Sequence, residues 1–384
     1  MALRPSSRGL VPPFIAMDFL REGLAREARG ERVIHLEVGQ PGTPAPQPVL
    51  DAARAALTED RIGYTDSLGI AKLRDAIAGH YREQYGVAVD PAEIVVTTGS
   101  SAAFQLACLA AFEAGDRVAL AAPGYPAYRN ILKALGLEPV LIEAGENAHY
   151  QPNPELLAGA GELAGLVIAS PANPTGTMIA PAELARLYAW CGERGIRLVS
   201  DEIYHGITYE RPAETARAFG RDAIIINSFS KYYSMTGWRL GWMVAPPDLA
   251  RSVECLAQNF YISPPTLSQL AALPVFGCRA ELDGHVARYR RARDLLIATL
   301  SAAGLGRIAP AEGAFYLYVD VAPLTNDSAA FCRRMLAEIG VATTPGRDFD
   351  PVHGERWLRL SFAGPADDIA EAAARLSQWL PRSG

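Results

Sequence analysis

One lysine sits among hydroxyls in the stretch Ser228-Phe229-Ser230-Lys231-Tyr232-Tyr233-Ser234-Met235-Thr236-Gly237-Trp238-Arg239, just after the wholly apolar run Ala223-Ile224-Ile225-Ile226. That run is short, β-branched and unalternating, the pattern of a strand buried on both faces in a parallel sheet covered by helices. Ligands in open α/β sheets sit at the carboxyl ends of such strands. Lys231 is therefore expected to point into a crevice. Partial desolvation and a neighbouring cation such as Arg239 would favour its neutral, nucleophilic amine, which is chemistry suited to a carbonyl. The bland alternative is a solvated Lys231 with Arg239 covering apolar surface by its stem, and the stretch alone leaves the two readings even.

Four other strand ends carry polar residues that bear on this choice. After Val96 comes Thr97-Thr98-Gly99-Ser100-Ser101, a turn opening a helix, which is an anion site or simply an N-cap. The run ending at Leu120 exits at Pro123-Gly124-Tyr125 and offers an aromatic ring. Ser170-Pro171-Ala172-Asn173-Pro174-Thr175-Gly176 follows Ile168, where Asn173 is a side-chain amide for a ligand or an Asx turn. After Val199 the chain reads Ser200-Asp201-Glu202-Ile203-Tyr204, and a carboxylate there is costly without a cationic partner. Each signal is weak singly, but packing alone does not readily explain their convergence. The molecule that fits has a phosphate for Gly99, Ser100, Ser101, Ser228, Ser230 and Arg239, and a flat ring for Tyr125. It also has a ring nitrogen for Asp201, a phenolic oxygen for Asn173 and Tyr204, and an aldehyde for Lys231. That is pyridoxal 5'-phosphate, in which a carboxylate partner keeps the pyridine nitrogen protonated and the ring an electron sink.

The elements that must position these residues are seven short apolar runs, at 94–96, 118–120, 139–142, 166–168, 196–199, 223–226 and 241–244. Helical stretches lie between most of them, which describes a doubly wound α/β domain. A chain of 384 residues exceeds the size at which one core stops growing, so two domains are expected. Outside the seven runs, residues 14 to 30 carry an amphipathic helical pattern, and Val33 to Val38 read as a strand entering the Gly- and Pro-rich loop 39 to 44. Tyr64 precedes a Gly turn, and a helix runs from near Ala71 to Gly86. Further helices are expected at 250–260 and 271–303, the latter broken near Gly277 and Gly284, and around 329–339. Strands are expected at 313–319 and 356–362; in the second, Trp357, Arg359 and Ser361 share one face.

The 49% apolar and 20% charged residues are ordinary globular composition, and the net charge of −6 argues against nucleic-acid or membrane-surface partners. Five scattered cysteines suggest reduced thiols in a cytoplasmic protein and call for no metal. No signal peptide or membrane span is evident.

Taken in order, Gly39-Gln40-Pro41, Ser170 to Gly176, Asp201-Glu202-x-Tyr204, Ser228-x-Ser230-Lys231 and Gly237-x-Arg239-x-Gly241 strongly resemble the fold-type I, class I/II aminotransferases of the aspartate aminotransferase superfamily. The resemblance covers nearly the whole chain. It implies a large domain with a mostly parallel seven-stranded sheet at 46–275 and a smaller α+β domain built from 1–45 and 276–384. Lys231 resembles the lysine bound covalently to the cofactor, Asp201 the ring-nitrogen partner, Asn173 and Tyr204 the ligands of the phenolic oxygen, and Tyr125 the stacking ring. Ser228, Arg239 and the Ser100 and Ser101 amides resemble the phosphate cup. Tyr64 is similar to a tyrosine that reaches the neighbouring subunit's phosphate, implying a homodimer with shared sites. Arg359 of the Arg-Leu-Ser motif, rather than Arg356, resembles the arginine that grips the substrate α-carboxylate as a fork. Gly39 and Asn173 complete the substrate contacts implied.

The activity implied is ping-pong transamination between an amino acid and a 2-oxo acid. A lyase on the same scaffold, such as a β-carbon–sulfur lyase, shares the cofactor ligands. A cofactor-binding regulator is disfavoured, because only 38 residues precede Gly39 and none reads as a basic helix-turn-helix. Ser101 stands where some aspartate-directed relatives carry a lysine, so neutral or aromatic donors are expected over dicarboxylic ones.

Overall fold

The computed structural model describes residues 3–59 and 62–380. Helix α1 (Ile15–Glu27) leads to the two-residue strand β1 (Ile34–His35), and helices α2 (Gln47–Glu59) and α3 (Ala71–Tyr85) follow. The seven apolar runs then form one sheet of β2 (Ile94–Thr97), β3 (Arg117–Ala122), β4 (Glu138–Glu143), β5 (Gly165–Ala169), β6 (Arg197–Asp201), β7 (Ile224–Ser228) and β8 (Gly241–Val244). Their spatial order is β2-β8-β7-β6-β5-β3-β4. Only β8 runs antiparallel to its neighbours.

Both faces of this sheet are covered. Ile94, Val96 and Ile225 pack into one apolar cluster, while Val95, Ile224 and Ile226 pack into another on the opposite side. That division is the two-residue side-chain period of a strand with helices above and below. Each such isoleucine contributes roughly 1.5–3 kcal/mol through burial. The strands are thus fixed rigidly enough to aim whatever follows their carboxyl ends.

A third cluster gathers Phe19, Val33 and Ile34 from the N-terminal part with many residues between Tyr289 and Leu380. Here β9 (Tyr316–Asp320), β11 (Thr344–Pro345) and β12 (Trp357–Ser361) form an antiparallel sheet of order β11-β12-β9. Strand β10 (Val341–Ala342) pairs in parallel with β1. Both ends of the chain therefore build one layer against the seven-stranded sheet.

Two expectations need correction. The strand expected over 33–38 is only Ile34–His35, because the Leu36 carbonyl, which would continue the ladder with β10, accepts instead from the Ser361 N–H at 2.7 Å. The break expected at Gly284 is absent, since one helix runs from Arg279 to Ala302. A mid-helix glycine costs about 1 kcal/mol, and the buried stripe of Leu282, Tyr289, Leu296 and Leu300 outweighs it. The chain does break at Gly277, before this helix.

Candidate active site

The carboxyl ends of β3, β5, β6 and β7 open into a cavity of about 240 Å³. Its wall includes Gly39, Ser100, Ser101, Tyr125, Asn173, Asp201, Tyr204, Ser230, Lys231, Arg239 and Arg359. Eleven of the fourteen sequence-derived site residues thus meet in one place. Ser228 lies just beneath, its hydroxyl oxygen 2.9 Å from Ser230 Oγ and 3.2 Å from the Leu240 carbonyl. Gly99 caps helix α4 (Ser100–Ala111) with φ of +77°. A Cβ there would stand 2.4 Å from Arg239 Nη2, so only glycine lets the guanidinium close over the helix N-terminus. Tyr64 lies outside this cavity and is 82% exposed.

Lys231 Nζ donates to the Gly39 carbonyl at 2.8 Å. Burial lowers its pKa to about 8, the charges of Arg359 and then Arg239 add to the effect, and Asp201 opposes it. Arg239 was the cation expected from sequence, yet Arg359 acts more strongly from across the cavity. Arg239 itself sits at φ of +51°, a left-handed conformation costing about 1–2 kcal/mol outside glycine. Its Nη1 donates to the Thr236 carbonyl at 3.0 Å.

Asp201 is buried at the end of β6. Its Oδ2 accepts from the Tyr128 hydroxyl and its Oδ1 from the Ile203 N–H at 3.1 Å. Burial pushes its pKa up to about 6, while those two donors and the Lys231 charge pull it down. The cationic partner that the sequence reading gives this carboxylate is the cofactor's protonated ring nitrogen. Among the described residues it has neutral donors and no ion pair.

Arg359 is 2% exposed. It donates to Asn173 Oδ1 at 3.0 Å, to Thr344 Oγ1 at 3.2 Å and to the Glu37 carbonyl, and its Nε has no partner. The guanidinium carbon lies 4.6 Å from the Tyr316 ring centroid and 4.7 Å from that of Phe349. Arg356, three residues earlier, points elsewhere and pairs with Asp320 at 2.8 Å. Tyr204 and Tyr316 share a hydroxyl–hydroxyl hydrogen bond of 2.6 Å. Tyr316 also explains Gly39, where a Cβ would fall 1.7 Å from the Tyr316 hydroxyl.

Several lining residues escaped the sequence reading. Phe14 and Met17 come from the first turns of the chain, and Tyr316 from β9. Tyr128 lies three residues past Tyr125 in helix α5 (Pro126–Leu135). That i,i+3 spacing puts both rings on one face and was the available signal.

The donor set suits an elongated dianionic ring compound. It combines a helix N-terminus with an arginine for one anion, a buried carboxylate for a cationic ring nitrogen, an amine of lowered pKa for a carbonyl, and a second arginine without a carboxylate partner among the described residues. Comparison with known proteins agrees. Residues 31–376 match the family described as aminotransferase class I and II. The chain belongs to this family. The aminotransferase is 50% identical to the valine–pyruvate aminotransferase of Mycobacterium tuberculosis, over 99% of this chain and 100% of that one. A crystal structure of an aminotransferase from Mycobacterium tuberculosis superposes with a TM-score of 0.96 at 50% identity, covering 99% of each chain. The aspartate aminotransferase of Thermus thermophilus with maleate gives 0.92 at 30% identity, over 98% of this chain and 100% of that one. This aminotransferase accordingly has the fold-type I α/β architecture and uses pyridoxal 5'-phosphate.

Proposed function

We propose that this aminotransferase takes its amino group from a neutral L-amino acid, aliphatic or aromatic, and passes it to a 2-oxo acid in ping-pong fashion. The observation that carries the donor class is the charge inventory of the cavity. Among the described residues its cationic side chains are Lys231, Arg239 and Arg359, and each has a role that leaves none for a distal carboxylate. Phe14, Met17, Phe104 and Ile131 supply apolar wall instead, and Ser101 adds only a hydroxyl. The 50% identical relative named for valine and pyruvate supports the same reading.

In this assignment Arg239, Ser230 and the Ser100 and Ser101 amides hold the phosphate, with Gly99 making room and Ser228 bracing Ser230. Tyr125 faces the ring, Asp201 holds its nitrogen, and Asn173 and Tyr204 hold its phenolic oxygen. When bound, pyridoxal 5'-phosphate supplies an aldehyde and an electron-withdrawing ring. Lys231 would hold the aldehyde and, as a neutral amine, would accept the proton from the donor's Cα. Arg359 grips the α-carboxylate, and the Gly39 loop closes over it to exclude water. The layer built from 1–45 and 276–384 carries both groups against a cofactor domain at 46–275. Single-turnover mixing with individual amino acids tests the donor class. Valine, leucine or phenylalanine should convert the cofactor to its pyridoxamine form at least about ten times faster per unit concentration than aspartate. Faster conversion by aspartate, or release of pyruvate and ammonia from a cysteine-type donor, would overturn this reading.

We also assign the active unit as a cytoplasmic homodimer whose Tyr64 reaches the partner's phosphate site. Tyr64, Leu57, Ile62, Phe260 and Ile262 are all at least 45% exposed, apolar surface of the kind that a partner would cover. The five free cysteines fit a reducing compartment. Among the described residues no helix is long and apolar enough to cross a membrane. Sedimentation equilibrium should return about twice the 41.2 kDa chain mass, and a monomer mass would refute the shared site.

A further inference from the structure

Asp201 receives one donor on each carboxylate oxygen, and the two differ in kind. The Ile203 N–H belongs to the turn that follows β6 and is fixed by the backbone. The other donor is the Tyr128 hydroxyl, delivered from α5 across the cavity floor. Tyr128 is itself held from two sides: its ring lies 5.0 Å from Phe104 and 5.2 Å from Tyr125, edge-on to the latter at 84°. The helix around it is tied down as well, by Arg129 donating to the Asp348 carbonyl at 2.6 Å and Asn130 to the Pro12 carbonyl at 3.3 Å. Burial and the neighbouring carboxylate push the Tyr128 phenol well above its ordinary range, so its hydroxyl stays protonated and is the donor in this pair.

A hydrogen bond to the charged form of a carboxyl favours that form, and losing it lets the carboxyl keep a proton. If Asp201 is the partner of the cofactor's ring nitrogen, the proton between them is shared, and whatever makes Asp201 a weaker base leaves more of that proton on nitrogen. We propose that Tyr128 is a positioning residue that holds Asp201 ionised and correctly turned, and thereby sets how fully the cofactor's ring nitrogen is protonated. The same side chain braces Tyr125, so one tyrosine orders both the edge and the face of the cofactor site. This rests on the assignment of Asp201 under Proposed function.

A purely packing role for Tyr128 predicts something different, because phenylalanine keeps the ring contacts with Phe104 and Tyr125. The test reconstitutes cofactor-free wild type, Tyr128→Phe, Tyr128→Gln and Asp201→Asn with pyridoxal 5'-phosphate labelled with ¹⁵N in the ring, and records the nitrogen chemical shift at pH 7.5. Wild type should show a protonated nitrogen and Asp201→Asn an unprotonated one. Tyr128→Phe should lie measurably between them and bind the cofactor roughly 10-fold more weakly, the lower end for one hydrogen bond to a charged group. Tyr128→Gln restores a donor without the phenol and should return the shift toward wild type. It also answers the question if the phenylalanine variant does not fold. An Asp201→Asn signal like wild type would sink the Asp201 assignment itself. A normal Asp201 response with Tyr128→Phe indistinguishable from wild type, or with Phe and Gln variants alike, would overturn the role of the Tyr128 hydroxyl.

Discussion

Lys231→Ala should lower transamination by roughly 10⁴-fold or more, the upper end of what a positioned proton-transfer group supplies, because the same amine also binds the cofactor aldehyde. The variant should still take up pyridoxal 5'-phosphate, since Asp201, Arg239 and the α4 amides do not depend on the lysine. Added methylamine should restore part of the proton transfer. Turnover near wild type would remove Lys231 from the mechanism. The wild-type amine also sets a pH profile. Its pKa is lowered to about 8, so it is mostly protonated below pH 8 and mostly neutral above. Borohydride trapping of pyridoxal 5'-phosphate by the cofactor-free enzyme should therefore rise about tenfold per pH unit up to about pH 8 and then level. A rise that continues to pH 10 would show an ordinary solvated lysine.

The second large effect is expected at Arg359. Lysine keeps the charge but not the planar fork, and the pocket offers acceptors at Asn173 Oδ1, Thr344 Oγ1 and the Glu37 carbonyl that one ammonium cannot satisfy together. Arg359→Lys should lower kcat/KM for amino acids by roughly 10²–10³-fold, or about 3–4 kcal/mol, within the range for disrupting a buried, hydrogen-bonded charge. Most of that should appear in KM, because the α-carboxylate is gripped throughout the reaction. Amines that lack an α-carboxylate are the control. If they lose as much as amino acids do, Arg359 acts on the fold rather than on the substrate.

Much of this site could be read from the chain because parallel-sheet physics is local. An unalternating apolar run such as Ala223 to Ile226 announces a two-face-buried strand, and the residues that follow must then emerge at a carboxyl end. Lys231, Asp201 and Asn173 all follow such runs, and the cavity holds all three. The residues that were not legible arrive by tertiary routes. Phe14 and Met17 reach the cavity from the far N-terminus, and Tyr316 from a strand of the second sheet. No periodicity near Lys231 encodes them. Tyr128 was missed for another reason: its helix pattern reads as amphipathic whether the ring faces a core or a carboxylate. The short β1 shows the limit of strand reading, because the Leu36 carbonyl that a longer ladder would have used goes to the distant Ser361 N–H.

The two rings that flank Arg359, 4.6 and 4.7 Å from its guanidinium carbon, have a thermodynamic consequence. A free arginine side chain loses about 1.5–2 kcal/mol of rotamer entropy when it is fixed. Here that loss falls on folding, so the α-carboxylate capture proposed for Arg359 would proceed on an immobilised plane with little further ordering. The carboxylate term then becomes nearly a constant for every α-amino acid. Affinity differences among donors report their side chains alone.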